Sequence, residues 1–109
     1  DDYLTMITNM NNMKKKWYND FEELKNAKLP GEFIYDEGSL IIKYKYTNGA
    51  EISITWLTLF EPNIKMIEIA RIKNDEIIDI LGHYKNKDEI IEYIIKSQPK
   101  KHTKSASFK

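Results

Sequence analysis

The sequence predicts one small α+β domain followed by a basic tail. Apolar residues recur every three or four positions near both ends of the chain, which is the helical period. Between residues 32 and 84 they recur mostly at every second position, and short turns rich in Gly, Asn and Asp separate these runs. The predicted order is therefore an N-terminal helix, a four- to five-stranded antiparallel β-meander, and a C-terminal helix. We place the domain at residues 1–98 and the tail at residues 99–109.

The first helical pattern covers residues 2–27. Asp1 or Asp2 can cap its start, and Pro30-Gly31 ends the segment. Asparagine favours helix weakly, so the three asparagines between positions 9 and 12 allow a kink or a break there. The apolar side chains form one stripe, widened at its start by Leu4 and Ile7: Tyr3, Met6, Met10, Met13, Trp17, Phe21 and Leu24.

The alternating pattern predicts a strand around Phe33 and Tyr35, then strands over residues 40–46 and 51–60. A two-residue Asn-Gly turn between the last two would oppose apolar to polar residues. A three-residue loop, Thr47-Asn48-Gly49 with Gly49 left-handed, instead opposes Tyr44 to Ile52 and Lys45 to Glu51. We therefore predict a type I turn followed by a bulge.

Two further runs complete the predicted sheet. The run from Ile64 to Ile72 slips out of alternation near Met66-Ile67, which indicates a bulge or an edge. Residues 76–84 are predicted as a strand, with a short helix as the alternative, because their isoleucines fit neither period well.

The C-terminal helix is indicated by a capping box. Asn86 provides the N-cap and Glu89 lies three positions later. Ser97-Gln98-Pro99 ends the helix. Its apolar face consists of Ile90, Ile91, Ile94 and Ile95.

Charge divides unevenly along the chain. Residues 96–109 contain five lysines and no acid, whereas residues 1–95 contain seventeen acidic and twelve basic side chains. An acidic body near −5 thus precedes a basic tail near +5, a split typical of an interaction tail or a self-complementary contact. The chain has no cysteine, no secretory signal and no apolar run long enough to span a bilayer, so we expect a cytoplasmic protein without disulfides or membrane contact.

The sequence offers little that predicts catalysis. The two histidines, His83 and His102, lack the spacing of a zinc site, and no serine lies in a nucleophile-elbow context. No glycine-rich phosphate loop is present. We therefore predict no catalytic residue, metal or cofactor. An enzyme would need a pocket that holds His83 beside a carboxylate.

Two features favour a protein-binding role. Apolar residues are predicted on the sheet face opposite Trp56, and that face should be covered by a helix, the tail or a partner. The methionine stripe fits core packing, with an adaptable contact surface as the alternative. The candidate partner-binding residues are Ile41, Leu57, Leu59, Met6, Met10 and Met13.

The leading hypothesis is therefore a non-enzymatic interaction module that acts by protein–protein contact through its acidic body. Inhibitors, adaptors and immunity-type proteins belong to this class, as do phage and mobile-element anti-defence proteins. A homodimer through the second sheet face or an edge strand fits the same features.

The alternative is a sequence-tolerant binder of RNA or single-stranded DNA. Lysines and tyrosines alternate at residues 43–46, although a strand separates them onto opposite faces, so the tyrosines favour the core over a stacking platform. The single arginine, Arg71, disfavours dedicated base recognition. Binding would be weak and salt-sensitive. Its candidate residues are Lys43, Lys45, Lys100, Lys101 and Lys104.

Overall fold

The computed structural model describes residues 2–99. It confirms the α+β fold class: an N-terminal helix, a five-stranded antiparallel sheet and a C-terminal helix. The elements are α1 (Asp2–Lys25), β1 (Glu32–Asp36), β2 (Ile41–Lys45), β3 (Glu51–Trp56), a 3-10 turn (Leu57–Leu59), β4 (Ile67–Lys73), β5 (Glu76–Tyr84) and α2 (Lys87–Lys96). Neither helix in this part of the chain is long and apolar enough to cross a membrane.

The sheet is a simple meander, in which each strand pairs with its sequence neighbours in the order β1-β2-β3-β4-β5. The predicted β2–β3 register is confirmed, with Tyr44 opposite Ile52 and Lys45 opposite Glu51. Gly49 adopts φ +94°, the left-handed conformation that the three-residue loop requires. The hydrophobic alternation therefore determined both the pairing and the turn.

Both helices cover the same face of the sheet, and one core forms between them. Trp17 and Leu24 of α1 and Ile90 and Ile94 of α2 are fully buried there. Lys87 bridges to Glu23 at 2.9 Å and ties the two helices together. The sheet contributes Phe33, Ile42, Tyr44, Tyr46, Ile52, Ile54, Ile67 and Ile69. Since neither helix packs on the opposite face, we call that face of the sheet the open face.

The prediction of a strand through residue 60 is wrong beyond Trp56. Leu57–Leu59 form a 3-10 turn, and the Thr58 hydroxyl donates to the carbonyl of Ile64. This turn carries Leu59 into the core, where it is 8% exposed. Leu59 therefore does not lie on the open face, whereas Leu57, the first residue of the turn, is half-buried.

Residues 76–84 form a strand, so the helical alternative is wrong. The register against β4 shifts twice, and each shift leaves one extra residue in β5: Ile78 and Leu81. These two bulges explain why the isoleucines of this segment fit neither period. The expected slip at Met66-Ile67 instead marks the start of β4 at Ile67.

The second helix begins as predicted. The Asn86 side chain accepts a hydrogen bond from the Glu89 amide at 3.1 Å, while the Glu89 carboxylate accepts from the Lys85 amide at 2.8 Å. One orphan amide in the first turn of α2 is thereby satisfied, and the Glu89 carboxylate holds the residue that precedes the N-cap.

Candidate functional site

Helix α1 is continuous, without the break that its asparagines allow, and its two halves have different surroundings. Every residue from 2 to 12 is exposed, and burial begins at Met13. At 1.5 Å per residue, the exposed part extends for about 16 Å. We call residues 2–12 the arm and residues 13–25 the anchored half.

The arm carries a row of large apolar side chains that are exposed rather than buried in the core. Tyr3 is 68% exposed, Met6 60% and Met10 43%, and Ile7 flanks them. We call these four side chains the arm surface. They lie on the same side of α1 as Trp17 and Leu24, because all but Ile7 continue one stripe of three- and four-residue steps. The stripe that packs on the sheet thus runs on into solvent.

The base of the arm is tightly held. Trp17 is fully buried and stacks on Trp56 with the ring centroids 6.1 Å apart. Its indole N–H donates to the Leu40 carbonyl at 3.0 Å. The Lys16 ammonium lies 4.9 Å from the centre of the Trp56 ring, a cation–π distance. The arm therefore leaves the body from a fixed point.

The composition of the arm makes an isolated helix unfavourable. Three of its eleven residues are asparagine and two are threonine, all weak helix formers. A helix shorter than about twelve residues is marginal in water, and most helical stability in proteins comes from packing of an apolar face. In the described chain the side chains of the arm surface are exposed. A partner on that surface would supply the missing stabilisation.

The candidate partner-binding residues thus lie in different places. Met6 and Met10 belong to the arm surface, so core packing is the wrong interpretation for them. Met13 is partly buried against the core, as core packing requires. Ile41 is half-buried on the open face.

The open face is a second apolar surface. Ile77 and Ile80 of the edge strand β5 are about half exposed there, and Ile72 lies beside them. At its centre the Ser53 side chain is 1% exposed, and its hydroxyl has no hydrogen-bond partner in the described chain. Of the three covers that the sequence allowed, a helix is excluded within residues 2–99, because both helices lie on the other side. Charged side chains such as Lys43 and Glu68 interrupt the face, so it is less uniformly apolar than the arm surface.

The nucleic-acid candidates are only partly brought together. Tyr44 is fully buried, which confirms its core role and removes it as a base-stacking surface. Lys45 lies 3.9 Å from Glu51, its cross-strand neighbour. Lys43 is half-buried on the open face. Lys100, Lys101 and Lys104 lie outside the described residues, so their role stays a prediction.

His83 does lie beside a carboxylate, but on the exposed sheet surface. Its Nε2 is 3.1 Å from the Glu68 carboxylate, because the β4–β5 register places the two residues directly opposite each other. Such cross-strand pairs of polar side chains are common on sheets. Residues 2–99 contain no cluster of three or more potential metal ligands.

A groove of about 650 Å³ lies on the helix-covered side of the sheet, near the C-terminal end of α2. Arg71 and Tyr93 contribute to its lining. Burial raises the pKa of Tyr93, and the nearby Arg71 offsets only part of this rise. Asp79 lies opposite Arg71 on the neighbouring strand. The positive charge in the groove therefore has an acidic neighbour, which disfavours a dedicated anion site.

Comparison with known proteins finds no matching family model, no similar curated protein and no similar solved structure.

Proposed function

We propose that this protein is a small non-enzymatic interaction module and that the arm of α1 is its docking element. The observation that carries the proposal is the apolar stripe that continues past the sheet into solvent. A large, contiguous apolar surface on a soluble domain is typical of a protein-contact site. The arm supplies one on a helix, the element that lays an apolar face into a groove or along a second helix.

The side chains of the arm surface suit this role. Methionine is flexible and polarisable, so it adapts to irregular partner surfaces. Tyrosine supplies a large contact area at a small loss of conformational freedom and is enriched at interfaces. A truncated Met6 or Met10 would therefore weaken binding while leaving the core untouched.

The acidic body has a secondary part in this proposal. Residues 1–95 carry a net charge near −5. A negative surface accelerates encounter with a basic partner and disfavours acidic ones, although it adds little affinity by itself. An inhibitor or adaptor of this design would use charge for approach and the arm for retention.

A binding assay with matched variants tests the proposal. The full chain is immobilised and exposed to lysate of its source, and bound proteins are quantified by mass spectrometry. The variant Met6→Glu/Met10→Glu places two charges on the arm surface, while Thr8→Glu/Asn12→Glu places the same charges, with the same spacing, on the far side of the helix.

We expect at least one partner, either another protein or a second copy of the chain, to bind the wild type and the far-side control but not the arm-surface variant. If the wild type and both variants retain the same set of bound proteins, and none of the three associates with itself, the arm is not a docking element.

A further inference from the structure

The spacing of the apolar residues along the arm indicates which kind of element would pack on it. Tyr3, Met6 and Met10 of the arm surface and the half-buried Met13 at the base of the arm are separated by three, four and three residues. This is the a/d pattern of a heptad, which pairs one helix with another along a narrow line. A partner helix with the same spacing fits it better than a flat surface does.

We propose that the arm pairs with the arm of a second copy of this chain, in antiparallel orientation, to form a homodimer. This inference rests on the proposed function, because it names the partner of the same surface. In the antiparallel register, Met6 of one copy packs on Met10 of the other, and Tyr3 packs on Met13. Each of the four layers then contains one residue from each chain.

Charge selects the antiparallel orientation. Asp2 lies at the tip of the arm and Lys14, Lys15 and Lys16 lie at its base. Antiparallel pairing brings the acidic tip of each arm beside the lysines of the other. A parallel pair would instead keep both acidic tips at one end and the lysines at the other, so the attraction between unlike charges would be lost.

The same orientation keeps the two acidic bodies apart. They lie at opposite ends of the paired arms, separated by about 16 Å of helix. The Debye length is about 8 Å at physiological ionic strength, so the repulsion between the bodies is largely screened. The net charge of the bodies therefore does not oppose this dimer.

The area of the arm surface sets the expected strength. A large side chain carries roughly 150–250 Å² of surface, so the four exposed side chains offer about 400 Å² per copy. With the flanking residues, two copies bury about 1,000 Å², the lower limit for a specific interface. The dimer should therefore dissociate at micromolar rather than nanomolar concentrations.

Light scattering after size exclusion provides the first test. The mass of the full chain should rise with concentration from 12.9 kDa towards twice that value. Met6→Glu/Met10→Glu should remain at the mass of one chain, and Thr8→Glu/Asn12→Glu should dimerise like the wild type. A wild-type mass of one chain up to about 100 µM, far above the expected dissociation constant, overturns the proposal.

Cysteine pairing provides the second test and reports orientation, since the chain has no native cysteine. Tyr3→Cys mixed with Met13→Cys should form a disulfide-linked heterodimer under mild oxidation. Tyr3→Cys alone should not, because its two copies lie about 15 Å apart in the antiparallel register. In the matched control, Tyr3→Cys is mixed with Asn12→Cys, whose new thiol lies on the far side of the helix, instead of with Met13→Cys.

The outcomes separate the two proposals. Efficient linkage of Tyr3→Cys to itself would show a parallel pair and overturn the antiparallel dimer. A monomeric wild type that still retains another protein through the arm would overturn the dimer and leave the docking function intact. A monomeric wild type that retains nothing through the arm would overturn both.

Discussion

The arm and the anchored half of α1 share one stripe of apolar side chains but differ in what the stripe touches. In the anchored half it packs on the sheet, and Trp17 and Leu24 are completely buried. In the arm the same spacing leaves Tyr3 and Met6 more than half exposed. Periodicity therefore predicts which side of a helix is apolar, whereas the length of the sheet beneath it decides how much of that side is covered.

Truncation of one aromatic residue in each half of α1 should give the largest difference in the free energy of unfolding. Trp17→Ala removes a buried ring, its stacking on Trp56 and its hydrogen bond to Leu40, so we expect the free energy of unfolding to fall by about 3–5 kcal/mol. Tyr3→Ala should change it by less than about 0.5 kcal/mol. Urea titration at sub-micromolar concentration measures both. Equal losses would mean that the arm packs on its own body.

The connection from α1 to β1 should tolerate less change than an exposed turn. Gly31 lies against the Lys45 carbonyl and the Tyr44 ring, and its amide donates to the Tyr44 hydroxyl at 2.8 Å. A methyl group there would clash with both neighbours, so Gly31→Ala should destabilise the fold by about 1–3 kcal/mol.

The matched control is Gly38→Ala, since a methyl group at Gly38 would meet its nearest neighbour at 3.5 Å, an ordinary contact. Thermal melts of the two variants give the comparison. A Gly31→Ala protein as stable as Gly38→Ala would contradict the close packing of Gly31 against β2.

The bridge between the helices should contribute modestly, because both partners are partly exposed. The hydrogen bond to the Glu23 carboxylate is the largest cause that raises the pKa of Lys87, and burial of the ammonium opposes it only in part. Since the folded pKa lies above the unfolded one, the stabilisation is complete at neutral pH and is lost as the pH rises through the raised value. Glu23→Gln should lower the free energy of unfolding by less than about 1 kcal/mol at pH 7.

The difference between wild type and Glu23→Gln, measured by urea titration from pH 7 to above pH 10, tests this linkage. Glu22→Gln is the control, because Glu22 pairs with Lys25 inside α1 and ties no second element to it. A difference that grows with rising pH would have the wrong sign for a bridge to Lys87.

Removal of single asparagines should give the smallest effect and the sharpest contrast. Alanine favours helix over asparagine by about 0.5 kcal/mol at an exposed position. Asn19→Ala, in the anchored half, should raise the global free energy of unfolding by that amount. Asn12→Ala should slow amide exchange in the arm alone and leave the urea midpoint unchanged, because the arm opens independently of the body. A shifted midpoint for Asn12→Ala would show that the arm unfolds with the core.

Much of the fold followed from sequence because local signals agreed with each other. The alternation of β2 and β3, the position of Gly49 and the pairing of Lys45 with Glu51 all require the same register. The 3-10 turn at Leu57–Leu59 was missed, since its leucines continue the alternation of β3 and nothing local marks the end of the strand. The hydrogen bond from the Thr58 hydroxyl to the Ile64 carbonyl, which ties this turn to the following loop, is invisible in a periodic pattern.

The candidate site was only half predictable. The sequence identified Met6 and Met10 but not their exposure, which depends on how α1 crosses the sheet. Length was the available signal: α1 has 24 residues and is about 36 Å long, whereas strands of five to nine residues span roughly 17–30 Å. A helix longer than the sheet that it covers must extend beyond it at one end.

The tryptophan pair at the base of the arm gives this protein a built-in optical probe. Trp17 and Trp56 are the only tryptophans of the chain, and they stack on each other. The whole indole emission therefore arises from the point where α1 meets the sheet. Release of the helix from the sheet would expose both rings and shift the emission to longer wavelength, whereas bending of the arm alone would leave it unchanged. The tryptophan emission of unlabelled protein can thus report whether a partner binds only the arm or also displaces α1 from the core.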